Sequence, residues 1–410
     1  MSENAAKIAE KAYYAEVEKK LGEFNTNGKI TVGIFTDAFF PSVDGVVSVV
    51  DNIASRIQSY CNVVVFAPKY RGVTYKRNYV VVGIKAVYLK SLNYSAALFP
   101  DCDSNYKRLL KKVRLDVVHA HSPFAVGRAA LKYHKKFGTP FVMTFHSQYK
   151  KDVKKAVKSE LITKWVMKYV MASFNGADEV WTMHRMSAET VIGYGYNGPI
   201  RFVPNATDYV YPAEADQKVT YIKEHYGIKD EKIFLFVGRL VLQKNILFIA
   251  EILSKLKERG VKFKMLFIGD GPDRALLEKR LSELKVYKDC MLLGKIDDKF
   301  LLEDYYLSAD MLLFPSRYDV SSIIQIEAAA MKTPCAFIEN SVTSCTVTHG
   351  VNGLILPDDA DKFADGVKEY VLDKEKLSAL GENAYRDLYV TWDDIVVKSY
   401  DRYIELAKKK

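Results

Sequence analysis

Arg239 and Lys244 stand where a phosphate could be held. They follow an apolar run, Ile233 to Val237, that reads as a strand ended by Gly238. They precede an amphipathic run, Ile246 to Leu256, that reads as a helix. A helix start offers free N–H groups and a partial positive charge, and the Arg and Lys side chains add full charges. The chemistry this suits is gripping a diphosphate. Taken alone, the same residues also suit an ordinary connection carrying two solvated cations.

Other clusters fall at the ends of strand-like runs. Gly269-Asp-Gly-Pro272 follows Lys264–Ile268 and lets a flat ring or ribose approach the backbone, although the same letters spell a common turn. After Met311–Phe314 comes a loop with Asp319, then a helix from about Ser321 that carries Glu327. Ser322 and Gln325 have capping-box spacing. The two acids could face one ligand, one on sugar hydroxyls and one on a ribose diol. The plainer alternative is that Asp319 caps the helix and Glu327 pairs with a surface lysine. Nearer the start, Asp44-Gly-Val-Val47 is a turn whose N–H groups could meet an anion. His119 and His121 flank the end of Asp116–Ala120, and His146 follows Phe141–Phe145. Histidines there could exchange a hydrogen bond with an acceptor hydroxyl.

The elements that must position these residues alternate regularly. Strand-type runs at Ile30–Thr36, Val63–Ala67, Asp116–Ala120, Phe141–Phe145, Glu179–Thr182 and Ile200–Val203 are separated by helical ones. The pattern restarts at Ile233–Val237 and continues through Leu354–Ile355. Such alternation predicts parallel sheets covered on both faces. A chain of 410 residues is too long for one core, so two doubly wound α/β domains are expected. Ligands of such sheets sit at the carboxyl ends of the strands, and a cleft between two such domains is the expected active site.

Charge is unevenly spread. Between Lys107 and Lys168, sixteen Lys and Arg face three acidic residues, while the remainder has 44 basic and 47 acidic side chains. That stretch suits an anionic partner: a membrane surface, a nucleic acid or a phosphorylated substrate. A lysine-rich solvated face is the bland alternative. No recognised nucleic-acid motif accompanies it, so no nucleic-acid partner is expected. The five cysteines are scattered without metal-type spacing, which suits a reducing cytoplasm. No apolar run reaches the ~18–20 residues that span a bilayer, and no secretory signal is read before the first strand.

In order, I-G-x-F-T-D, P-x-x-x-G-V-V, H-A-H-S-P-F, T-F-H-S, V-G-R-L…K-N, I-G-D-G-P, F-P-S…E-A-A-A and G-V-N-G-L-I resemble the motifs of retaining GT-B glycosyltransferases that use nucleotide sugars, of the family 4-like kind. The resemblance spans nearly everything after residue 29. It implies two Rossmann-like domains facing a cleft: a helical extension at 1–28, an acceptor domain at 29–203 rejoined by a helix at 392–410, and a donor domain at 204–391. Arg239 and Lys244 match the pair that grips the donor diphosphate, and Glu327 matches the ribose ligand. Asp319 replaces the acid on the transferred sugar. Gly45 matches a glycine beside the donor, and His121 the histidine near sugar and acceptor, with His146 a second. Gly238, Gly269, Gly271, Ser322 and Ile323 would line the donor.

The implied reaction moves a hexose, taken to be glucose, from UDP-glucose, with GDP-mannose the alternative donor. It needs no metal, because the cations hold the leaving diphosphate. Asp44-Gly-Val-Val is similar to lipid-directed members such as diacylglycerol glucosyltransferases and phosphatidylinositol mannosyltransferases. A lipid acceptor at the anionic inner face of the cell membrane is therefore expected, approached by Lys107, Arg108, Lys111 and Lys112 and by Lys150–Met167, which mixes lysines with Val, Leu, Ile and Trp. A saccharide or polyprenyl-linked acceptor is the alternative. The family's E-G-F-G is here Asp319-Val-Ser-Ser322, its Gly-Gly is Ser341-Val342, and a further Glu is Cys345. Those departures keep open a third reading, a non-catalytic partner or sugar-binding protein.

Overall fold

Apolar, β-branched runs without alternation are what a strand covered on both faces requires. The computed structural model pairs them into two parallel sheets, in two compact units: Met1–Pro204 with Trp392–Lys410, and Asn205–Thr391. The structure describes residues 3–41, 45–70, 73, 75–89, 94–317 and 323–409.

The first unit opens with α1 (Glu3–Phe24), β1 (Thr31–Phe35), α2 (Gly45–Ile57), β2 (Asn62–Lys69) and β3 (Val80–Lys85). A small antiparallel pair follows, β4 (Val87–Leu89) with β5 (Tyr94–Ala96), then α3 (Ser104–Leu110). Next come β6 (Val117–Ala120), α4 (Ala125–Phe137), β7 (Phe141–Thr144), α5 (Tyr149–Val157) and α6 (Glu160–Phe174). The unit closes with β8 (Glu179–Thr182), α7 (Arg185–Gly193) and β9 (Ile200–Phe202). Its strand order is β3-β2-β1-β6-β7-β8-β9, all parallel. The order reverses beside β1, so the loops leaving β1 and β6 diverge and open a crevice at their carboxyl ends.

Helix α1 is part of this core. Tyr14, Val17 and Leu21, spaced at i, i+3 and i+7, are buried, and the Tyr13 and Tyr14 hydroxyls donate to Val81 O and Gly83 O on β3 at 2.6 and 3.2 Å. Burying Leu21 alone contributes about 1.5–3 kcal/mol.

The second unit runs α8 (Ala215–His225), β10 (Lys232–Val237), α9 (Ile246–Glu258), β11 (Phe263–Ile268), α10 (Arg274–Glu283) and β12 (Cys290–Gly294). It continues with α11 (Lys299–Ser308), β13 (Met311–Phe314), α12 (Ile323–Ala330), β14 (Cys335–Ile338), β15 (Leu354–Leu356), α13 (Ala360–Val371) and α14 (Lys374–Leu388). The order β12-β11-β10-β13-β14-β15, all parallel, places its switch between β10 and β13.

The chain then returns to the first unit as α15 (Trp392–Lys408). Tyr403 stacks on Trp181 with centroids 5.4 Å apart, and Arg402 forks onto the buried Glu179. Trp181 Nε1 donates to the same carboxylate at 2.6 Å. Glu179 thus has two charged or polar donors, which its burial requires.

Candidate functional site

In the second unit, β10 ends at Gly238, whose φ of 147° lies in a region that side chains rarely adopt. Gly269 and Gly271 serve a different purpose from the one expected. A Cβ on Gly269 would lie 2.0 Å from Gly238 O, and one on Gly271 would lie 2.2 Å from Leu240 O. The glycines let two backbones cross; the space beside their Cα atoms holds protein. Leu240 N–H donates to Asp270 O at 3.0 Å, and Leu242 N–H to Asp273 Oδ2 at 2.8 Å. The Gly269–Asp273 turn therefore splints the loop that carries Arg239.

Arg239 is exposed, and its guanidinium has no hydrogen-bond or ion-pair partner among the described residues. Lys244 is half-buried, with Nζ 5.3 Å from the centre of the Phe314 ring on β13. Asn245 takes the left-handed conformation (φ 60°) and makes no side-chain cap on α9. Its Nδ2 instead reaches Pro315 O at 3.3 Å, tying the β10 loop to the β13 loop. Two cations and an uncapped helix start share the switch point, an arrangement suited to a diphosphate.

Across that switch, α12 carries Glu327. Its Oε2 accepts the hydroxyl of the fully buried Tyr306 at 2.8 Å. Burial pushes the Glu327 carboxyl above its usual range, and the Tyr306 hydrogen bond opposes that shift. No ion pair with a lysine forms at Glu327 among the described residues. Tyr306 was not singled out in the sequence, where it is one tyrosine of many in an ordinary helix. Ile323 opens α12 and is half-buried. Asp319 and Ser322 lie outside the described residues. The expected Ser322–Gln325 capping box falls with Ser322 outside the described residues; Gln325 Nε2 donates to Thr346 Oγ1 at 3.0 Å. The segment holding the Ser341-Val342 and Cys345 departures is closed by its own bonds, Ser341 Oγ to Ile338 O at 2.8 Å and Ser344 Oγ to Ser341 O at 2.9 Å.

In the first unit, Gly45 is the exposed first residue of α2, with nothing within 4 Å of its Cβ position; Asp44 lies outside the described residues. Asp37, directly after β1, was not anticipated. Its carboxylate accepts Ser122 Oγ at 2.7 Å and Val126 N–H at 2.8 Å, so it caps α4 across the switch point.

The three histidines form one cluster at the ends of β6 and β7. His119 is used internally: Nδ1 meets the Tyr403 hydroxyl at 2.5 Å and Nε2 meets Thr144 Oγ1 at 2.6 Å. His121 Nδ1 lies 3.0 Å from His146 Nε2, and the buried His121 Nε2 has no partner among the described residues. Burial lowers His119 to about 3 and His146 to about 4, and holds His121 well below the usual range. All three are neutral at pH 7, and the pair can exchange hydrogen bonds but carries no charge.

Lys107, Arg108, Lys111 and Lys112 are exposed, but the structure does not bring them to this pair. Arg108 and Lys112 pair with Glu18 of α1, Lys112 at 3.2 Å. Lys111 and Lys112 border a hollow of about 1090 Å3 with Lys29, Thr31 and Asp116, at the amino ends of β1 and β6. His121 is at the opposite end of the same strand. Asp101 and Asp103 spell a D-x-D spacing, but both carboxylates are engaged: Asp101 with Lys132 at 2.9 Å, Asp103 with the Tyr106 and Lys85 N–H groups at 2.9 and 2.8 Å.

Residues 43–210 match the Glycosyltransferase Family 4 family, and 219–387 match Glycosyl transferases group 1. Alpha-monoglucosyldiacylglycerol synthase of Acholeplasma laidlawii is 25% identical over 396 residues, 92% of this chain and 98% of its own. The UDP-Gal:alpha-D-GlcNAc-diphosphoundecaprenol alpha-1,3-galactosyltransferase of Escherichia coli is 26% identical over 353 residues, 81% of this chain and 87% of its own. HepE of Anabaena, solved with UDP, superposes with a TM-score of 0.71 at 14% identity, over 92% of this chain and 100% of that one.

Proposed function

This chain belongs to the GT-B glycosyltransferases, and from that premise we propose that it moves a hexose from a nucleotide sugar to a lipid acceptor at an anionic membrane surface. The observation that carries the reading is that Arg239, without a partner among the described residues, stands beside Lys244 and the start of α9 on one side of the β10–β13 switch, with Glu327 on α12 following β13 on the other. In this reading the second unit binds the donor and the first binds the acceptor. Arg239 and Lys244 hold the diphosphate, and each contributes about 3–4 kcal/mol as charge develops on the leaving group. Glu327, preset by Tyr306, accepts the ribose hydroxyls. Asp319 takes the sugar side.

The acceptor oxygen bonds to the anomeric carbon on the face the phosphate leaves. The departing phosphate oxygen takes the acceptor proton, and configuration is retained. The protein supplies positioning and positive charge for this and needs no metal. His121 Nε2, oriented by His146, hydrogen-bonds the sugar or the acceptor hydroxyl.

The UDP-glucose and diacylglycerol assignments draw on the synthase from A. laidlawii and on the UDP complex of HepE. A polyprenyl-linked acceptor is the second reading, supported by the E. coli relative. The test is a thermal-shift panel of UDP-, GDP- and ADP-sugars, then turnover of the best donor with diacylglycerol in phosphatidylglycerol vesicles. A UDP-sugar should stabilise the protein most, and a glycosylated diacylglycerol should form. Stabilisation without transfer to diacylglycerol or to a polyprenyl diphosphate saccharide would favour the non-catalytic alternative.

A further inference from the structure

Helix α6 has two apolar faces. Ser159 caps its start, its Oγ accepting Ile162 N–H, and Met167, Val170, Met171 and Phe174 point into the core of the first unit. The first two turns carry a second apolar face that none of the described residues covers. Leu161 and Trp165, at i and i+4, are each 77% exposed, and Ile162 beside them is 49% exposed. An exposed Trp–Leu–Ile cluster costs free energy in water and marks an interaction surface.

Charge decides what that surface meets. On the same helix Lys164 and Lys168 are exposed, and so are Lys150, Lys151 and Lys155 on α5 and Lys158 just past its end. None of the six forms an ion pair among the described residues, whereas Lys154 is spent on Glu160 at 3.1 Å. A second copy docking here by two-fold symmetry would set this lysine field against itself. An anionic lipid surface complements it, and each cation near such a surface strengthens binding by about fivefold.

We propose that the first two turns of α6 insert Leu161, Ile162 and Trp165 into the headgroup–acyl boundary of an anionic bilayer, with the lysines of α5 and α6 against the headgroups. The proposal rests on the membrane-acceptor reading above and, of the two basic stretches expected from the sequence, gives the membrane contact to α5–α6 and not to α3. It also gives the contact an apolar anchor, which lysines alone do not supply. The crossover containing both helices begins at Tyr149, three residues after His146, so a chain seated this way presents the His121–His146 end of the sheet near the lipid.

The chain carries its own probe. Of its three tryptophans, Trp181 and Trp392 are buried, so Trp165 dominates any solvent-sensitive emission. The full-length protein is mixed with equimolar phosphatidylglycerol–phosphatidylcholine vesicles and with pure phosphatidylcholine vesicles. Emission and co-flotation are recorded, with UDP binding as the check on folding. The expected result is a blue shift with anionic vesicles alone, lost in Trp165→Phe. Leu161→Ser/Trp165→Ser should lower vesicle partition about tenfold or more and leave UDP affinity unchanged. Co-flotation of the wild type with unmoved Trp165 emission, or unchanged partition of the double variant, would overturn the insertion while leaving the membrane reading intact. No co-flotation of the wild type would remove both. A dimer that the double variant splits would assign the face to a second copy and overturn the proposal.

Discussion

The Tyr306 hydroxyl donates to Glu327 Oε2 at 2.8 Å and joins α11 to α12 where α12 carries its acid. Tyr306 cannot swing away: it is fully buried, and Thr333 Oγ1 holds its carbonyl at 2.5 Å. The carboxylate is therefore oriented before any ligand arrives, which lowers the entropy cost of binding a diol. Tyr306→Phe leaves that carboxylate without its donor and should cost about 1–3 kcal/mol of stability. UDP affinity should fall while affinity for inorganic pyrophosphate holds. Calorimetry showing unchanged UDP affinity would detach Tyr306 from the site.

Glu327 itself should trade stability for binding. Burial raises its folded-state pKa. A carboxyl raised in this way contributes stability at low pH and loses it as pH rises through the folded value. Glu327→Gln should thus melt higher than the wild type at pH 7, match it below the ordinary carboxyl range, and bind UDP more weakly. Melting curves from pH 4 to 8 check the crossover; a variant less stable at pH 7 refutes it.

Removing either cation of the clamp should act on phosphate and not on the base. Arg239→Ala and Lys244→Ala should each weaken UDP binding about 10- to 100-fold, the range for a charged hydrogen bond, with uridine affinity unchanged. Equal losses for UDP and uridine would mean that the loop, and not the charge, had been damaged.

The histidine cluster predicts an acid-sensitive first unit. His119 and His146 titrate at about 3 and 4, and His121 also lies well below the ordinary value near 6.5. A base depressed in the fold contributes stability that is full above the unfolded value and is lost as pH falls below it. Stability should be level above pH 6.5 and then fall by up to ~1.4 kcal/mol per pH unit for each histidine. Urea unfolding of the wild type and of His146→Gln between pH 6.5 and 5 isolates this effect by difference, because the raised Asp37, Glu303 and Glu327 carboxyls oppose it equally in both proteins. His146→Gln should show the smaller slope, and equal slopes would refute the effect.

Two glycines should answer alanine in opposite ways. Gly269→Ala drives a methyl to 2.0 Å from Gly238 O at a φ of 131°, so it should cost about 1–3 kcal/mol and displace the Arg239 loop. Gly45→Ala meets nothing within 4 Å and should leave the melting temperature unchanged. If Gly45→Ala nonetheless lowers turnover, the lost space belonged to the donor.

Much of the fold was legible because its signals are local. The apolar runs at 233–237 and 311–314, ended by turn residues and followed by helical periodicity, announce parallel strands whatever the rest of the chain does. Strand β3 is not legible in this way, because no helical run separates it from β2 and the strand–helix alternation that announces the other parallel neighbours is absent there. Arg239 and Lys244 were legible for the same local reason: strand end, loop and helix start lie within one short stretch.

What the sequence determined by itself was the set of chemical groups and the strand ends on which they stand. Tertiary structure alone decided which groups are already spent. Tyr403 reaches His119 from 284 residues away and makes it structural, Glu18 pairs with both Arg108 and Lys112, and Gly238 O occupies the space that Gly269 had been expected to leave for a ligand. Burial forces polar groups and close-packed backbones to find partners, and the partner is whichever residue the fold brings within about 3 Å, a distance that spacing along the chain does not encode. His121 Nε2 stands out because, among the described residues, that demand is unmet; Arg239 and the exposed turns of α6 stand out because the fold leaves a charge and an apolar face in solvent.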